Sequence, residues 1–424
     1  MATNSSRIEK ITTFYCNLRI KLLISKTSKE KVFKKIKPLE IVHILKELIR
    51  IQGHRELPEK ENKVSEYLLQ WFEKEKLNVN DVEVVPNRIN LIARLNGVGN
   101  GVSIMYNCHM DTVPEYGWTS RPGPFEPVVK NNRVYGRGSC DMKGAIASVM
   151  VAMRAIKDSG IELNGDLVFA GVIGEEGEGS IGTKALVEKN IITDMAVVCE
   201  PTDLNISIGH RGSSNIRLVC HGVPAHTAYP ERGINAIAMM SKILESIDKE
   251  LCPKLKQRKH KLLGPPSLTP AVIQGGMRTD VVPDLCEIKL NYRYSHGQEP
   301  SHLKEEIEQL INHLQKRRPN LRADVEILTD SLGMETPQNH IIVKSLSKAI
   351  KAVTGKQPKV IGSGFWTDAS ILSNKSGIPS VLFGPGKEEV AHSVNEYVDI
   401  DQLYFASQVY ALTGLEVCSK KQSL

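Results

Sequence analysis

Between residues 100 and 200 short apolar runs alternate with stretches of helical spacing, and this alternation constrains the fold more than any other feature of the chain. GVSIMYNC, DLVFAGVIG and MAVVCEP read as buried strands. Between them, MKGAIASVMVAMRAIKDSG and SIGTKALVEKN carry apolar side chains at helical spacing, and the first helix stops at Gly160. Strands joined through helices pair in parallel, so the expected class is α/β, a mixed and largely parallel sheet flanked by helices. The same reading predicts helices over 38–52 and 61–76, and a strand pair in VEVVPNRINLIARLNG with a turn at Asn96-Gly97. Beyond residue 331 it predicts a helix in NHIIVKSLSKAIKAVTG, a strand in IPSVLFGPG and a closing helix in IDQLYFASQVYALTGLEV.

Near residue 210 the pattern changes to strand, helix, strand, strand, helix, strand, which is the ferredoxin-like order. An inserted α+β lid or dimerisation domain over 212–331 is therefore expected, dividing a catalytic domain into 37–211 and 332–424. A chain of 424 residues is long enough for two cores. KLKQRKHKLLGPP reads as a solvated basic loop. Residues 1–36 read as a basic extension: the first 40 residues hold ten Lys/Arg and three Asp/Glu, and the remainder holds 45 of each. A fold that grips nucleic acid carries positive charge on its folded face, so no nucleic-acid partner is expected. No apolar run is long enough to span a bilayer, and IKLLI among lysines is not a secretory signal, so no membrane association is expected. Eight cysteines without a C-x-x-C pair suit reduced thiols in a cytoplasm.

In such sheets ligands gather at the carboxyl ends of the strands. In YNCHMDT, His109 and Asp111 fall on one face of an extended chain, and a carboxylate beside an imidazole fixes the ring for a metal. Asp141 opens a helix in GRGSCDMKG, Glu175 and Glu176 follow one strand, Glu200 ends another, and His392 follows VLFGPG in EVAHSVNE. Taken singly these are a core histidine, a helix cap, solvated acids and a loop histidine. Their shared placement at strand ends argues for one site. Carboxylates crowded together repel, and some must protonate unless cations offset them. Two divalent ions held by Asp141, Glu176, Glu200, His109 and His392 would reverse that cost, polarise a carbonyl and lower the pKa of a water toward about 7. Mixed nitrogen and oxygen ligands suit Zn2+, with Co2+ or Mn2+ as alternatives. Glu175, beside a ligand but not itself one, is then free to act as general base. Cys108, Cys140 and Cys199 read as small buried hydrophobes.

HMD, GRGSCDMKG, GEEGEGSIGT, CEPTD, GVPAHTAYP, GGMRTDVVPD, WTDASIL, FGPG and AHSVNE occur in this order. From about residue 41 to 415 the chain resembles the co-catalytic metallohydrolases, the family of acetylornithine deacetylase, succinyl-diaminopimelate desuccinylase and the glutamate carboxypeptidases. The resemblance implies that His109, Asp141 and Glu200 hold one metal and that Asp141, Glu176 and His392 hold the other, with Asp141 bridging and a cis peptide after it. It implies that Asp111 orients His109, and that Glu175 carries a proton from water to the leaving amine. His226 would steady the oxyanion, in several relatives from a partner subunit, which implies a homodimer through the inserted domain. Arg293 would receive a substrate carboxylate, and Gly384 would lie near the substrate.

Three departures stand out. Asp280 replaces a frequent Asn and would discourage an anionic group there; Asn291 replaces a frequent Asp; and Phe365-Trp366-Thr367-Asp368 replaces Gly-Gly-Thr-Asp, so that Trp366 and Thr367 would line a narrower pocket. Glu200-Pro201-Thr202 points toward deacylases and carboxypeptidases. The expected activity is metal-dependent release of an acyl group from a small N-acyl amino acid or related amine. The same chemistry on a dipeptide or C-terminal peptide bond is the nearest alternative. A non-catalytic binding protein on this scaffold would have lost a ligand or the base, and none is lost.

Overall fold

The computed structural model describes residues 28–119 and 121–419. The basic extension expected over 1–36 lies largely outside the described residues. Helices α1 (Pro38–Arg50) and α2 (Asn62–Lys74) lead into strands β1 (Asn78–Val85) and β2 (Arg88–Leu95). Then come β3 (Ile104–His109), β4 (Val128–Lys130), β5 (Arg133–Tyr135) and α3 (Lys143–Asp158). β6 (Leu167–Val172), the short α4 (Glu175–Glu178), α5 (Ile181–Glu188) and β7 (Met195–Val198) follow. The middle of the chain forms β8 (Ile206–His210), β9 (Gly212–His221), α6 (Ala236–Ser246), α7 (Cys252–Gln257) and β10 (Ser267–Gly275). It continues through β11 (Leu285–Tyr294), α8 (Pro300–Arg317), β12 (Arg322–Ser331) and β13 (Met334–Glu335). The chain closes with α9 (Ile341–Thr354), β14 (Val360–Ser363), α10 (Ala369–Ser376), β15 (Ser380–Leu382), β16 (Tyr397–Asp399) and α11 (Ile400–Cys418).

Two compact units result. One takes the chain up to Ile206 with Gln338–Val360 and the residues from Lys375; the other takes Ser207–Pro337 with Ile361–Asn374. In the first, the strands run β1-β2-β6-β3-β7-β15. β1, β2 and β6 are antiparallel neighbours, whereas β6, β3, β7 and β15 are parallel. Every residue of β3, β6 and β7 is buried, as expected where helices cover both faces of parallel strands. α3 buries thirteen of its sixteen residues and packs against α1 and α11. Its small residues allow this closeness: a Cβ on Gly144 would stand 2.4 Å from the Ser139 carbonyl oxygen. A second, three-stranded sheet in the order β16-β5-β4 joins the C-terminal segment to residues 133–135.

The turn between β1 and β2 is Pro86-Asn87, with Asn87 at φ 63°, and not the expected Asn96-Gly97. The amides of Val98, Gly99 and Gly101 instead donate to the carbonyls of Leu163 and Asn164, which leaves Asn96-Gly97 at the exit of β2.

In the second unit four antiparallel strands run β10-β11-β9-β12, the ferredoxin-like order. Burial alternates along β11, so Ile288, Leu290, Tyr292 and Tyr294 join Ile216, Leu218, Met240, Ile243 and Ile307 in the core under α6 and α8. Asn291 and Arg293 face the other way. The unit extends past the expected 212–331: the Nε1 of Trp366 and the hydroxyl of Ser370 both donate to the Leu332 carbonyl (3.0 and 2.6 Å), tying 361–374 to it. The basic loop is also shorter than expected, because Leu251 and Leu255 are buried and α7 continues through Gln257. Among the described residues no helix is long and apolar enough to cross a membrane.

Candidate metal centre

β3 delivers His109 at its last position, and the next turn carries Asp111. The ring Nδ1 of His109 donates to the backbone carbonyl of Asp111 at 2.9 Å. The Asp111 carboxylate stands 3.7 Å from that nitrogen and accepts instead the amides of Glu175 (3.2 Å) and Glu176 (2.8 Å). Orientation of His109 by Asp111 is thus a main-chain contact, and the carboxylate holds the turn that starts α4. The other end of α4 is held too, since Glu178 pairs with Lys60 and with Arg88 (2.6 Å). Asp141 follows β5 in the loop that enters α3, and the Asp141–Met142 peptide is cis. Glu200 is buried two residues past β7. His392 lies in the loop before β16, at φ 61°, a left-handed conformation uncommon for a residue with a side chain.

These elements bring His109, Asp141, Glu176 and His392 together. Nε2 of His109 is 2.9 Å from Asp141 Oδ1; Nε2 of His392 is 2.8 Å from Glu176 Oε1 and 3.2 Å from Asp141 Oδ2. Ligand atoms of His109, Asp141 and Glu176 all lie within 4.8 Å of one another. A carbonyl oxygen only accepts, so the hydrogen of a neutral His109 ring sits on Nδ1 and its Nε2 lone pair points at a carboxylate. That approach is repulsive unless a proton or a metal cation lies between.

Electrostatics shows how strongly positive charge is wanted here. Burial opposes ionisation of His109, yet the hydrogen bond and charge of Asp141, with Glu200 and Asp111 behind it, hold its pKa well above the ordinary imidazole value. Hydrogen bonds to Asp141 and Glu176 push His392 up to about 10. Against its burial, Asp141 is held below the usual carboxylate range by the same two histidines, while burial raises Glu176. Nitrogen and carboxylate donors converging without a thiolate fit a borderline divalent ion such as Zn2+. Cys108 and Cys140 are buried, and burial raises both thiols, which keeps them protonated and unlike ligands. His392 is half exposed and leaves one side of the cluster open to solvent.

Glu175 stands next to this cluster with its amide fixed by Asp111. Glu200 is buried, and its charge acts on His109. Gly384 is buried against the Glu200 strand end: a Cβ there would stand 2.6 Å from the Glu200 carbonyl oxygen, and its amide donates to Thr202 Oγ1 at 3.1 Å. It packs against the Glu200 segment more closely than any other residue type would allow.

His226, Arg293, Trp366 and Thr367 belong to the second unit. His226 is exposed, and its Nδ1 accepts the Ala228 amide at 3.0 Å. Arg293 is half-buried and its Nε donates to Asn291 Oδ1 at 3.0 Å. Trp366 is half-buried with its indole N–H on the Leu332 carbonyl, so its ring is fixed. Thr367 is fully buried, and its hydroxyl accepts the Ala369 amide at the start of α10 (3.2 Å), which makes it a helix cap within its unit. Asp280 does not offer the bare negative charge expected of it, because Arg278 grips both its oxygens at 2.8 Å.

Sequence reasoning passed over Glu396, which is buried and accepts the amides of Gly138, Cys140 and Asp141. Its place four residues after His392, inside the quoted AHSVNE, was the available signal.

Comparison with known proteins agrees with this geometry. Residues 105–415 match the family described as Peptidase family M20/M25/M40. Succinyl-diaminopimelate desuccinylase of Gluconacetobacter diazotrophicus is 32% identical over 335 residues, covering 76% of this chain and 82% of that protein. An N-formyl-4-amino-5-aminomethyl-2-methylpyrimidine deformylase of Halalkalibacterium halodurans is 30% identical over 367 residues, covering 80% and 85%. In fold, the chain is similar to a tripeptidase from Staphylococcus aureus, with a TM-score of 0.75 at 24% identity over 91% of this chain and 99% of that one. With the family model spanning most of the chain and the histidine–carboxylate cluster at its strand ends, the chain belongs to Peptidase family M20/M25/M40 and is a metal-dependent hydrolase of amide bonds.

Proposed function

We propose that the chain is a cytoplasmic deacylase that cleaves the amide of a small N-acyl amino acid or related N-acyl amine, and that Arg293 receives a carboxylate of that substrate. The observation that carries the carboxylate is the charge around Arg293. Its hydrogen-bonding neighbour is the neutral Asn291, and the charge that acts on it is another cation, Arg211. Among the described residues no acid pairs with Arg293; an arginine so placed seeks an anion, and its planar fork suits a carboxylate. Relatives with the printed activities of desuccinylase, acetylornithine deacetylase and deformylase support deacylation. The described cysteines are all free thiols, which suits a reducing compartment.

Turnover of N-acetylornithine, N-succinyl-diaminopimelate and a dipeptide panel, measured side by side, tests the substrate class. Activity confined to dipeptides would replace the deacylase reading with a peptidase. Arg293→Met should weaken use of a carboxylate-bearing substrate by about 2 kcal/mol, roughly 30-fold in KM, with kcat changed less. An unchanged KM removes Arg293 from substrate binding.

In this reading His109, Asp141 and Glu200 would hold one divalent ion, and Asp141, Glu176 and His392 would hold a second. Bound there, such ions polarise the scissile carbonyl and make water acidic enough to attack near neutral pH. Glu175 accepts a proton from the attacking water on a carboxylate oxygen and returns it to the nitrogen of the leaving amine. His226 supplies a hydrogen bond to the developing oxyanion. Its Nδ1 is occupied as an acceptor, so in the neutral ring the hydrogen lies on Nε2, for which no partner is found among the described residues.

We further propose a homodimer through the second unit. Among the described residues β10 is an edge strand of its sheet; Ile273 within it is 61% exposed, and Met277, two residues past its end, is 99% exposed. A bare strand edge beside apolar side chains is a template for pairing with a second chain. Ile273→Lys should shift the chain from dimer to monomer in analytical ultracentrifugation. A wild-type chain that sediments as a monomer at micromolar concentration rules the dimer out.

A further inference from the structure

Glu396 is fully buried, four residues past His392, and each of its carboxylate oxygens accepts two N–H groups. Oε1 takes the amides of Cys140 (2.9 Å) and Asp141 (3.1 Å); Oε2 takes the amide of Gly138 (3.0 Å) and Nη1 of Arg137 (2.7 Å). Arg137 is itself buried and donates as well to the carbonyl of Ser393, the residue after His392 (3.3 Å). Just outside this knot the Gly136 amide donates to the Glu396 carbonyl, and β16 pairs with β5, Tyr397 opposite Tyr135 and Val398 opposite Val134. The loop that carries Asp141 and the loop that carries His392 are therefore bound to each other through one carboxylate.

A buried ion pair is a poor device for stability alone, because desolvation offsets most of the attraction and a well-packed apolar pair does as well. This one is also placed where it is electrostatically awkward, since Glu396 adds a further acid beside the cluster of Asp141, Glu176 and Glu200. What it does that an apolar pair cannot is take four donors in a fixed arrangement, two of them from Asp141 and its neighbour. Groups that orient a metal ligand from behind tune how well the ligand binds.

We propose that Glu396 is a positioning residue for the metal centre. By gripping the Cys140 and Asp141 amides and, through Arg137, the Ser393 carbonyl, it sets where Asp141 meets His392. This rests on the reading that Asp141 and His392 hold a divalent ion. Glu396 touches no reacting atom.

The test titrates the metal-stripped full-length protein with Co2+, following the visible absorption of the bound ion, and measures thermal unfolding of the same samples without metal. Glu396→Gln keeps the length of the side chain but turns one oxygen into a donor, which faces donors already there. It is expected to bind Co2+ ~10–100-fold more weakly, with an altered absorption band. Should that variant fail to fold, Glu396→Asp decides: it keeps the charge beside Arg137 but is too short to reach all four donors, and it too should bind more weakly. Lowered unfolding temperature with unchanged Co2+ affinity and band would mean a structural role only and would overturn the proposal. Wild-type protein that binds no Co2+ would instead refute the metal reading beneath it, so the two failures are distinct.

Discussion

Replacing Glu175 by Ala is expected to lower turnover by about 100- to 10,000-fold, the range associated with loss of a general acid–base, while metal content stays at the wild-type level. The separation follows from how Glu175 is held. Its backbone amide, which the substitution keeps, is the group that Asp111 binds at 3.2 Å. The neighbouring amide of Glu176 is bound at 2.8 Å, so the turn that presents Glu176 survives. The ligand atoms that crowd within 4.8 Å come from His109, Asp141 and Glu176, not from Glu175. The loss should therefore fall on kcat, with metal analysis and thermal unfolding unchanged. Glu175→Gln, which keeps the shape and removes the proton acceptor, should match the Ala variant. Wild-type turnover in either would end the assignment of Glu175 as base, and metal loss in proportion to activity would make it a ligand instead.

The parts of the fold legible from sequence are those where burial leaves no choice. β3, β6 and β7 are buried along their whole length and so appear as unbroken apolar runs, and β11 announces its two faces by strict alternation. The first hairpin was not legible because Asn96-Gly97 is the stronger local turn signal, and only tertiary hydrogen bonds to Leu163 and Asn164 take that segment elsewhere. At the site, two-residue spacing announced that His109 and Asp111 act together. Which atom of Asp111 does the work depends on a backbone turn that spacing does not encode. Asp280 shows how a charge is misread in isolation: its partner Arg278 stands two residues away, and together they form a neutral pair. The grip of Glu396 on Asp141 joins positions 255 residues apart and is a property of the folded chain alone.

Asp141→Asn is expected to damage metal binding more than the loss of any supporting contact. Asp141 is the acid whose two oxygens face different histidines, Oδ1 toward His109 and Oδ2 toward His392. An asparagine of the same shape has one oxygen to offer. Whichever histidine meets the amide nitrogen faces a donor where a cation was to be shared, and the cluster loses a full negative charge in surroundings where burial magnifies it. Affinity for Co2+ should fall by more than the ~10–100-fold typical of a lost outer partner, dialysed protein should retain fewer than two ions per chain, and turnover should vanish with them. The histidines report the same loss independently. Without the Asp141 carboxylate His109 loses the hydrogen bond that holds it above the ordinary imidazole value and His392 keeps only that of Glu176, so in metal-free protein both rings should give up their protons at lower pH than in the wild type, a shift that NMR can follow. Two ions retained at wild-type affinity would show that Asp141 is not shared. Ions lost with turnover intact would show that the chemistry does not run through this cluster at all.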